Sequence, residues 1–320
     1  MYRIGIDLGG TNIAVGLVKV SENDSKKNFE LVKKLSIPTL AQRPAEAIMD
    51  DMAAVCKKLC EETNVALDKI EAIGIATPGL ANCATGVVEY ANNLPFKDFP
   101  LADMLKKRLA FEKISIANDA NAAALGEAVA GAAKGASSSV MITLGTGVGG
   151  GVVLDGKLLC GFNFAAGELG HTVIEAGGLP CTCGRRGCWE AYSSATALVR
   201  MTNEKIAECK AAGRYTKMAE AHKVSGRTAC DCMRSGDEAA KEVYDKYIGY
   251  LAIGLANIVN IFQPEVISLG GGISGEGQSL IDALLPIVRK EQYGGELEKQ
   301  TDLRIAKLGN DAGIIGAAAL

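Results

Sequence analysis

Residues 2–20, YRIGIDLGGTNIAVGLVKV, alternate apolar residues at period two on both sides of a Gly9-Gly10 break. That is the pattern of a strand, a tight glycine turn and a returning strand. Residues 140–156, VMITLGTGVGGGVVLDG, repeat the design: laying Leu144-Gly145 on Leu8-Gly9 also sets Val140 on Ile4 and Ile142 on Ile6. One folding unit is therefore expected twice, as two similar lobes facing each other. Between the hairpins, residues 43–64 have helical spacing, IEAIGIATPG (70–79) reads as a buried strand ending in a Pro-Gly turn, and KISIAND (113–119) as a strand leading into a small-residue helix. Helices are predicted over 194–212 and 237–262, the latter stopped by Pro264, then a strand over 265–271 and a C-terminal helix in NDAGIIGAAAL. This order predicts an α/β fold, with one lobe from 1–118 plus 309–320, the other from 119–308, and a hinge near 115–120.

At 320 residues and 48% hydrophobic composition, the chain is long enough for two sizeable cores. Its net charge of -3 comes from 34 basic and 37 acidic residues without long runs, which gives no footprint for nucleic acid or an anionic membrane. The strand pattern starts at Tyr2 and no eighteen consecutive apolar residues occur, so neither a leader nor a spanning helix is expected and a cytoplasmic location is. Ten cysteines in a reducing compartment point to metal where they cluster and to small buried hydrophobes elsewhere.

Asp7 stands at a strand end just before Gly9, Gly10, Thr11 and Asn12, a turn whose amides can approach phosphate with no Cβ in the way. An ordinary hairpin turn fits the same residues. The second copy, Gly145 to Gly151 with Thr146, Gly147 and Gly149, puts five glycines in seven residues, which would weaken a strand pair without a compensating close approach. Gly270 to Gly272 follow a strand and are either a simple break or a surface for a flat base, Gly271 and Gly272 being the candidates. Asp119 after Asn118 is either a helix cap or a proton acceptor at a strand's C-terminal end. His171, Cys181, Cys183 and Cys188 lie within eighteen residues, a closed set of four zinc ligands that would build a loop and leave no corner for substrate. Glycines at 184 and 187 suit the tight turns such a loop needs, and Glu168 and Glu190 flank it as carboxylates able to accept from sugar hydroxyls or simply to face solvent. His222, Cys209, Cys230 and Cys232 lack flanking glycine turns and are not expected to bind metal; Cys56 and Cys60 should share a packing face.

Together these residues resemble the ROK family of sugar kinases and, within it, the bacterial-type glucokinases. The resemblance covers essentially the whole chain: DLGGTN at 7–12, NLP at 93–95, NDANAAALGE at 118–127, LGTGVGGG at 144–151, GELGH at 167–171, CTCGRRGCWEAYSSATAL at 181–198 and GGGIS at 270–274. It implies a duplicated actin-like ATPase (ribonuclease H-like) fold of two lobes with an interlobe active-site cleft and a zinc-binding loop. The implied activity is ATP-dependent phosphorylation of the 6-hydroxyl of glucose, Asp119 acting as base. Asn93, Asn118, Glu168, His171 and Glu190 would bind the sugar, with one nitrogen of His171 on zinc and the other on a hydroxyl. Asp7 would act on Mg²⁺ through water, and Gly9 to Asn12 with Thr146 to Gly149 would hold the ATP phosphates. A homo-oligomer, dimer or tetramer, is implied, with no nucleic-acid or membrane partner. An N-acetylhexosamine or fructose kinase would use nearly the same residues. A sugar-responsive regulator of the family would carry a helix-turn-helix ahead of the first hairpin, which here begins at residue 2.

Overall fold

The computed structural model describes residues 1–23 and 26–320. In chain order its elements are β1 (Tyr2–Leu8), β2 (Asn12–Asn23), β3 (Lys26–Pro38), α1 (Ala45–Thr63), β4 (Ile70–Thr77), β5 (Leu80–Asn82), β6 (Val87–Tyr90), β7 (Lys97–Phe99), α2 (Leu101–Leu109), β8 (Ile114–Asn118) and α3 (Asp119–Ala130). The hairpin β9 (Ser138–Leu144) and β10 (Val148–Leu154) follows, then β11 (Lys157–Leu158), α4 (Glu190–Ser193), α5 (Ala195–Ala211), α6 (Thr228–Arg234), α7 (Glu238–Phe262), β12 (Val266–Gly270), α8 (Gln278–Glu291), β13 (Asp302–Ile305) and α9 (Ala312–Ala319).

The first glycine turn closes an antiparallel pair in which Leu8 faces Ile13. β4 then joins β1 in parallel and β8 joins β4 in parallel, giving the order β3-β2-β1-β4-β8. Parallel neighbours need a crossover, and α1 and α2 supply the helical part of each. The second sheet runs β11-β10-β9-β12-β13, the same order counted from its own first strand, so the repeated hairpin begins a repeated sheet. A three-stranded sheet, β5-β6-β7, has no such copy.

By packing, the chain divides into two compact units. The first takes Met1–Met141, Gly151–Gly167 and Ala306–Leu320, and the second Ile142–Gly150 and Glu168–Ile305. A boundary at 118/119 follows chain order; packing instead keeps α3 in the first unit, because α3 lies against α9.

In the first unit α1 buries Ile48, Met49, Met52, Val55, Cys56, Leu59 and Cys60 in one core with Ile13, Val15 and Leu17 of β2 and Ile4, Ile6 and Leu8 of β1. These positions recur every three to four residues, one face of a helix, and each large apolar side chain buried contributes about 1.5–3 kcal/mol. Cys56 and Cys60 share that face, as expected. On the other side, α9 approaches the sheet and α3 so closely that a Cβ on Gly74 would lie 1.8 Å from Ala317 O, and one on Gly316 only 1.6 Å from Ala122 O. The small-residue sequence of α9 is thus a packing requirement.

In the second unit α7 starts on Asp237, whose carboxylate accepts from Ala239 N–H (2.9 Å) and Ala240 N–H (3.2 Å), and stops where Gln263 turns left-handed (φ 45°) ahead of Pro264. Trp189 is fully buried on Gly254 of this helix and donates Nε1–H to Tyr250 O at 3.1 Å, anchoring the cysteine-rich segment.

Candidate active site

In the first unit the glycine turn after β1 is held by Thr39, a buried residue that sequence reasoning missed. Its hydroxyl donates to Gly9 O at 2.6 Å and its amide to Thr11 O at 2.8 Å. The turn's own amides at Gly10 and Thr11 take no partner among the described residues, which leaves two N–H groups for an anion. Asn93 packs on this turn: a Cβ at Gly10 would sit 3.1 Å from Asn93 Cβ. A cavity of about 410 Å³ opens beside it, lined by Asp7, residues 9–12, Lys34, Ser36 and Asp311. Lys34 Nζ lies 2.5 Å from Asp311 Oδ1.

Asn118 ends β8 and caps α3. Its Oδ1 accepts from Ala120 N–H (2.9 Å) and Asn121 N–H (3.2 Å), while its Nδ2 donates to Gly79 O (3.1 Å). Capping thus falls to Asn118, and Asp119, the first helical residue, keeps one carboxylate oxygen off the helix, Oδ1 accepting from Ala120 N–H at 2.8 Å. Asp119 is open to solvent at its surface, yet the protein packed around it raises its carboxyl pKa, against the lowering effect of backbone amides and the Asn118 side chain. Asp7 is half-buried; burial first, and then the charge of Asp119, push its carboxyl up to about 6. Two carboxylates close enough to repel are the oxygen-rich setting that a divalent cation relieves, so Asp7 fits a Mg²⁺ role.

In the second unit the glycine loop between β9 and β10 is closed by Gly145 N–H donating to Gly147 O at 3.0 Å. The amides of Thr146 and Gly147 take no partner among the described residues, repeating the arrangement at Gly10 and Thr11. Gly149 lies within β10, beyond the loop itself. After β12, Gly271 adopts φ 84° and a Cβ there would meet Leu144 O at 2.5 Å, so the backbone must pass bare at this point; Gly272 opens a 3-10 turn.

Glu168 and His171 bracket the 3-10 turn Leu169–His171, with His171 N–H donating to Glu168 O at 3.1 Å; Glu168 is exposed. The cysteine loop follows. Cys181 N–H bonds Arg185 O (2.9 Å), Gly184 N–H bonds Cys181 O (3.0 Å) and Gly187 N–H bonds Leu179 O (2.7 Å), with Gly184 at φ 86° and Gly187 at φ 82°. These are the tight turns predicted for those two glycines. They bring His171, Cys181, Cys183 and Cys188 together with all ligand atoms within 4.8 Å of one another. His171 Nδ1 is 3.6 Å from Cys181 Sγ, and Cys183 Sγ is 3.7 Å from Cys188 Sγ. A tetrahedron with Zn–S of about 2.3 Å and Zn–N of about 2.0–2.1 Å has N···S and S···S edges of about 3.6 and about 3.8 Å. The donor set therefore fits zinc in both chemistry and size, with Nδ1 toward the metal and Nε2 left for another partner. Burial, then the neighbouring thiols, push Cys188 up to about 12, whereas the Arg185 amide leads the groups that lower Cys183. Among the described residues no such gathering forms around His222, Cys209, Cys230 and Cys232.

Glu190 heads α4, and its Oε2 accepts Val148 N–H at 3.0 Å. This link from the cysteine loop to the glycine loop spans 42 residues, and no local sequence pattern announces it. Each unit thus carries a glycine loop with two amides that take no partner among the described residues; the first unit adds a carboxylate just after a strand and the second a four-ligand loop. The chain belongs to the ROK family, whose model matches residues 3–320. It is 36% identical to the glucokinase of Halalkalibacterium halodurans (98% of this chain, 93% of the relative) and 36% identical to that of Thermotoga maritima (99% and 96%). Among solved structures it is similar to the ROK hexokinase of Thermus thermophilus, with TM-score 0.80, 36% identity and 99% and 97% of the two chains covered. It is also similar to a ROK family glucokinase from Streptomyces griseus in complex with glucose and AMPPNP, with TM-score 0.76, 31% identity and 100% and 98% covered. A xylose repressor of Caldicellulosiruptor bescii is 27% identical, and there the match spans 77% of the relative.

Proposed function

We propose that this chain is a hexokinase of glucokinase type that transfers the γ-phosphoryl group of ATP to the 6-hydroxyl of glucose. The observation that carries the reading is Asp119: a carboxylate of raised pKa immediately after β8, which keeps one oxygen off the helix because Asn118 caps α3. Glucokinases aligned over nearly the whole chain support glucose over other hexoses.

Phosphoryl transfer asks mainly for positioning and charge neutralisation. Asp119 accepts the proton of the 6-hydroxyl as that oxygen bonds to the γ-phosphorus; the bond to the bridging oxygen breaks and ADP leaves with its electron pair. Asn93, Asn118, Glu168, His171 and Glu190 are assigned to the hexose. The amides of Gly10, Thr11, Thr146 and Gly147, with Gly9, Asn12 and Gly149 shaping the two loops, are assigned to the phosphates, and Gly271 with Gly272 to the adenine. Asp7 would hold Mg²⁺ through water, and that ion neutralises phosphate charge when bound. His171, Cys181, Cys183 and Cys188 would hold Zn²⁺, which shapes the loop when bound; its Nδ1 ligation leaves His171 Nε2 to a sugar hydroxyl. The matching order of the two five-stranded sheets supports a duplicated actin-like ATPase fold. A cytoplasmic homo-oligomer, dimer or tetramer, completes the proposal. No helix among the described residues is long and apolar enough to cross a membrane.

The test is ATP-dependent turnover on glucose, mannose, fructose, N-acetylglucosamine and N-acetylmannosamine, with the product position read by ³¹P and ¹³C NMR. Glucose 6-phosphate as the dominant product is expected. Preference for an N-acetylated sugar would move the substrate, and no turnover on any would return the chain to the regulators of its family.

A further inference from the structure

The second glycine loop is fastened on two edges. From α5, Ala195 N–H donates to Gly145 O and Thr196 Oγ1 to Thr146 O, each at 2.8 Å. From the cysteine-rich side, Glu190 Oε2 takes Val148 N–H at 3.0 Å, so close to the loop that a Cβ on Gly147 would lie 2.3 Å from that oxygen. The other oxygen, Oε1, faces the metal loop, 3.4 Å from Thr182 Oγ1 and 3.7 Å from Cys181 Sγ. One carboxylate thus touches both a phosphate-loop amide and a residue of the four-ligand group. With a metal on Cys181 the thiol proton is gone, and the Thr182 hydroxyl is the donor that remains to Oε1 from this loop.

We propose that Glu190 is a positioning residue for the nucleotide: it couples the order of the Cys₃His loop to the shape of the glycine loop, so that metal occupancy is felt in ATP affinity as well as in hexose binding. This rests on the kinase reading above, in which residues 145–148 meet phosphate. The physical reason is conformational freedom. A segment with five glycines in seven residues has more backbone entropy to lose than one of ordinary composition, and whatever is not ordered beforehand is ordered at the expense of affinity. The three tethers above order it in advance, and Glu190 is the one that reaches the metal loop.

Calorimetric titration of AMPPNP with Mg²⁺ and no hexose separates this role from any contact of Glu190 with sugar. Glu190→Ala is expected to weaken AMPPNP about tenfold, the loss of one charge-assisted hydrogen bond. Glu190→Gln, whose amide oxygen still accepts from Val148 N–H, is expected to stay within about threefold of the wild type. Chelation should weaken AMPPNP in the wild type and add nothing in Glu190→Ala, with metal content followed by mass spectrometry. If Glu190→Ala does not fold, the exposed Thr182→Val takes its place, with about a two- to threefold loss expected. Wild-type AMPPNP affinity in the alanine variant, or in Thr182→Val where that replaces it, overturns the coupling. So does a chelation effect of equal size with and without the Glu190 side chain, whereas failure of the wild type to bind AMPPNP at all overturns the kinase reading itself.

Discussion

Asp119 and Asp7 form a pair whose surroundings set both chemistry and stability. As the proposed base, Asp119 can accept a proton only when ionised, and its pKa is raised, so kcat/KM for hexose should fall on acidification along a limb lying above the ordinary aspartate value of about 3.9. A pH–rate profile with its acid limb at or below that value would show that the carboxyl is not perturbed in the working enzyme. For Asp7 the linkage runs against the native state. Its folded pKa of about 6 exceeds its unfolded value, so the charged form destabilises the fold above pH 6 and the penalty disappears as pH falls toward 4. Asp7→Asn should therefore stabilise the metal-free protein by on the order of 1–3 kcal/mol at pH 7.5, with no gain near pH 3.5 and little remaining activity, as urea unfolding at the two pH values would read. Both aspartates stood out in the sequence because each lies within a residue of a strand end, beside a motif. Thr39 and Trp189 were not: one fastens a turn 30 residues away and the other is buried on Gly254, and neither contact leaves a local pattern.

At the scale of elements, the cysteine loop and α3 carry the sharpest expectations. The loop closes on two left-handed glycines and four ligand atoms, so removing metal or making Cys183→Ser should abolish hexose binding; apparent zinc affinities of about 10–16 kcal/mol in small sites show how much local order depends on the ion. Unchanged hexose affinity in metal-free protein would refute that scaffold role. Within α3, the fully buried Glu127 accepts from Ala132 N–H (2.6 Å), Lys307 N–H (2.9 Å) and Leu308 N–H (2.7 Å), stapling α3 to the segment that leads into α9. Glu127→Ala would strand these amides and should cost about 3–5 kcal/mol, seen as a lowered unfolding midpoint at unchanged m-value. The helices and strands with clean periodicity, α1, α5, α7, β1, β4, β8 and β12, were all readable within a residue or two, and β2 runs three residues beyond its predicted end at residue 20. β3 was not, since KKNFELVKKLSIP mixes lysines into its alternation, and β5 to β7 are too short, at three or four residues, to show a period. α8 holds Pro286 and has no side-chain N-cap, which hides its start.

For the whole molecule, one hairpin design occurs twice and opens two sheets of the same strand order. The pattern was visible because glycine turns interrupt strands conspicuously, whereas the third sheet and the assignment of α3 to the first unit depend on packing, which sequence order does not record. The close approach of α9 offers a global test of that packing. Gly316→Val would drive methyl groups into the Ala122 carbonyl and should lose about 3 kcal/mol or more by thermal or chemical unfolding; a variant as stable as wild type would contradict the packing. The proposed hexose 6-kinase activity, with Asp119 as base, is tested by comparing wild type with Asp119→Ala for ATP-dependent glucose phosphorylation alongside glucose affinity by calorimetry. A fall in kcat of about 10²–10⁴ with glucose affinity within a few-fold of wild type is predicted; a variant that retains kcat within tenfold, or a wild type that leaves glucose unphosphorylated, would contradict it.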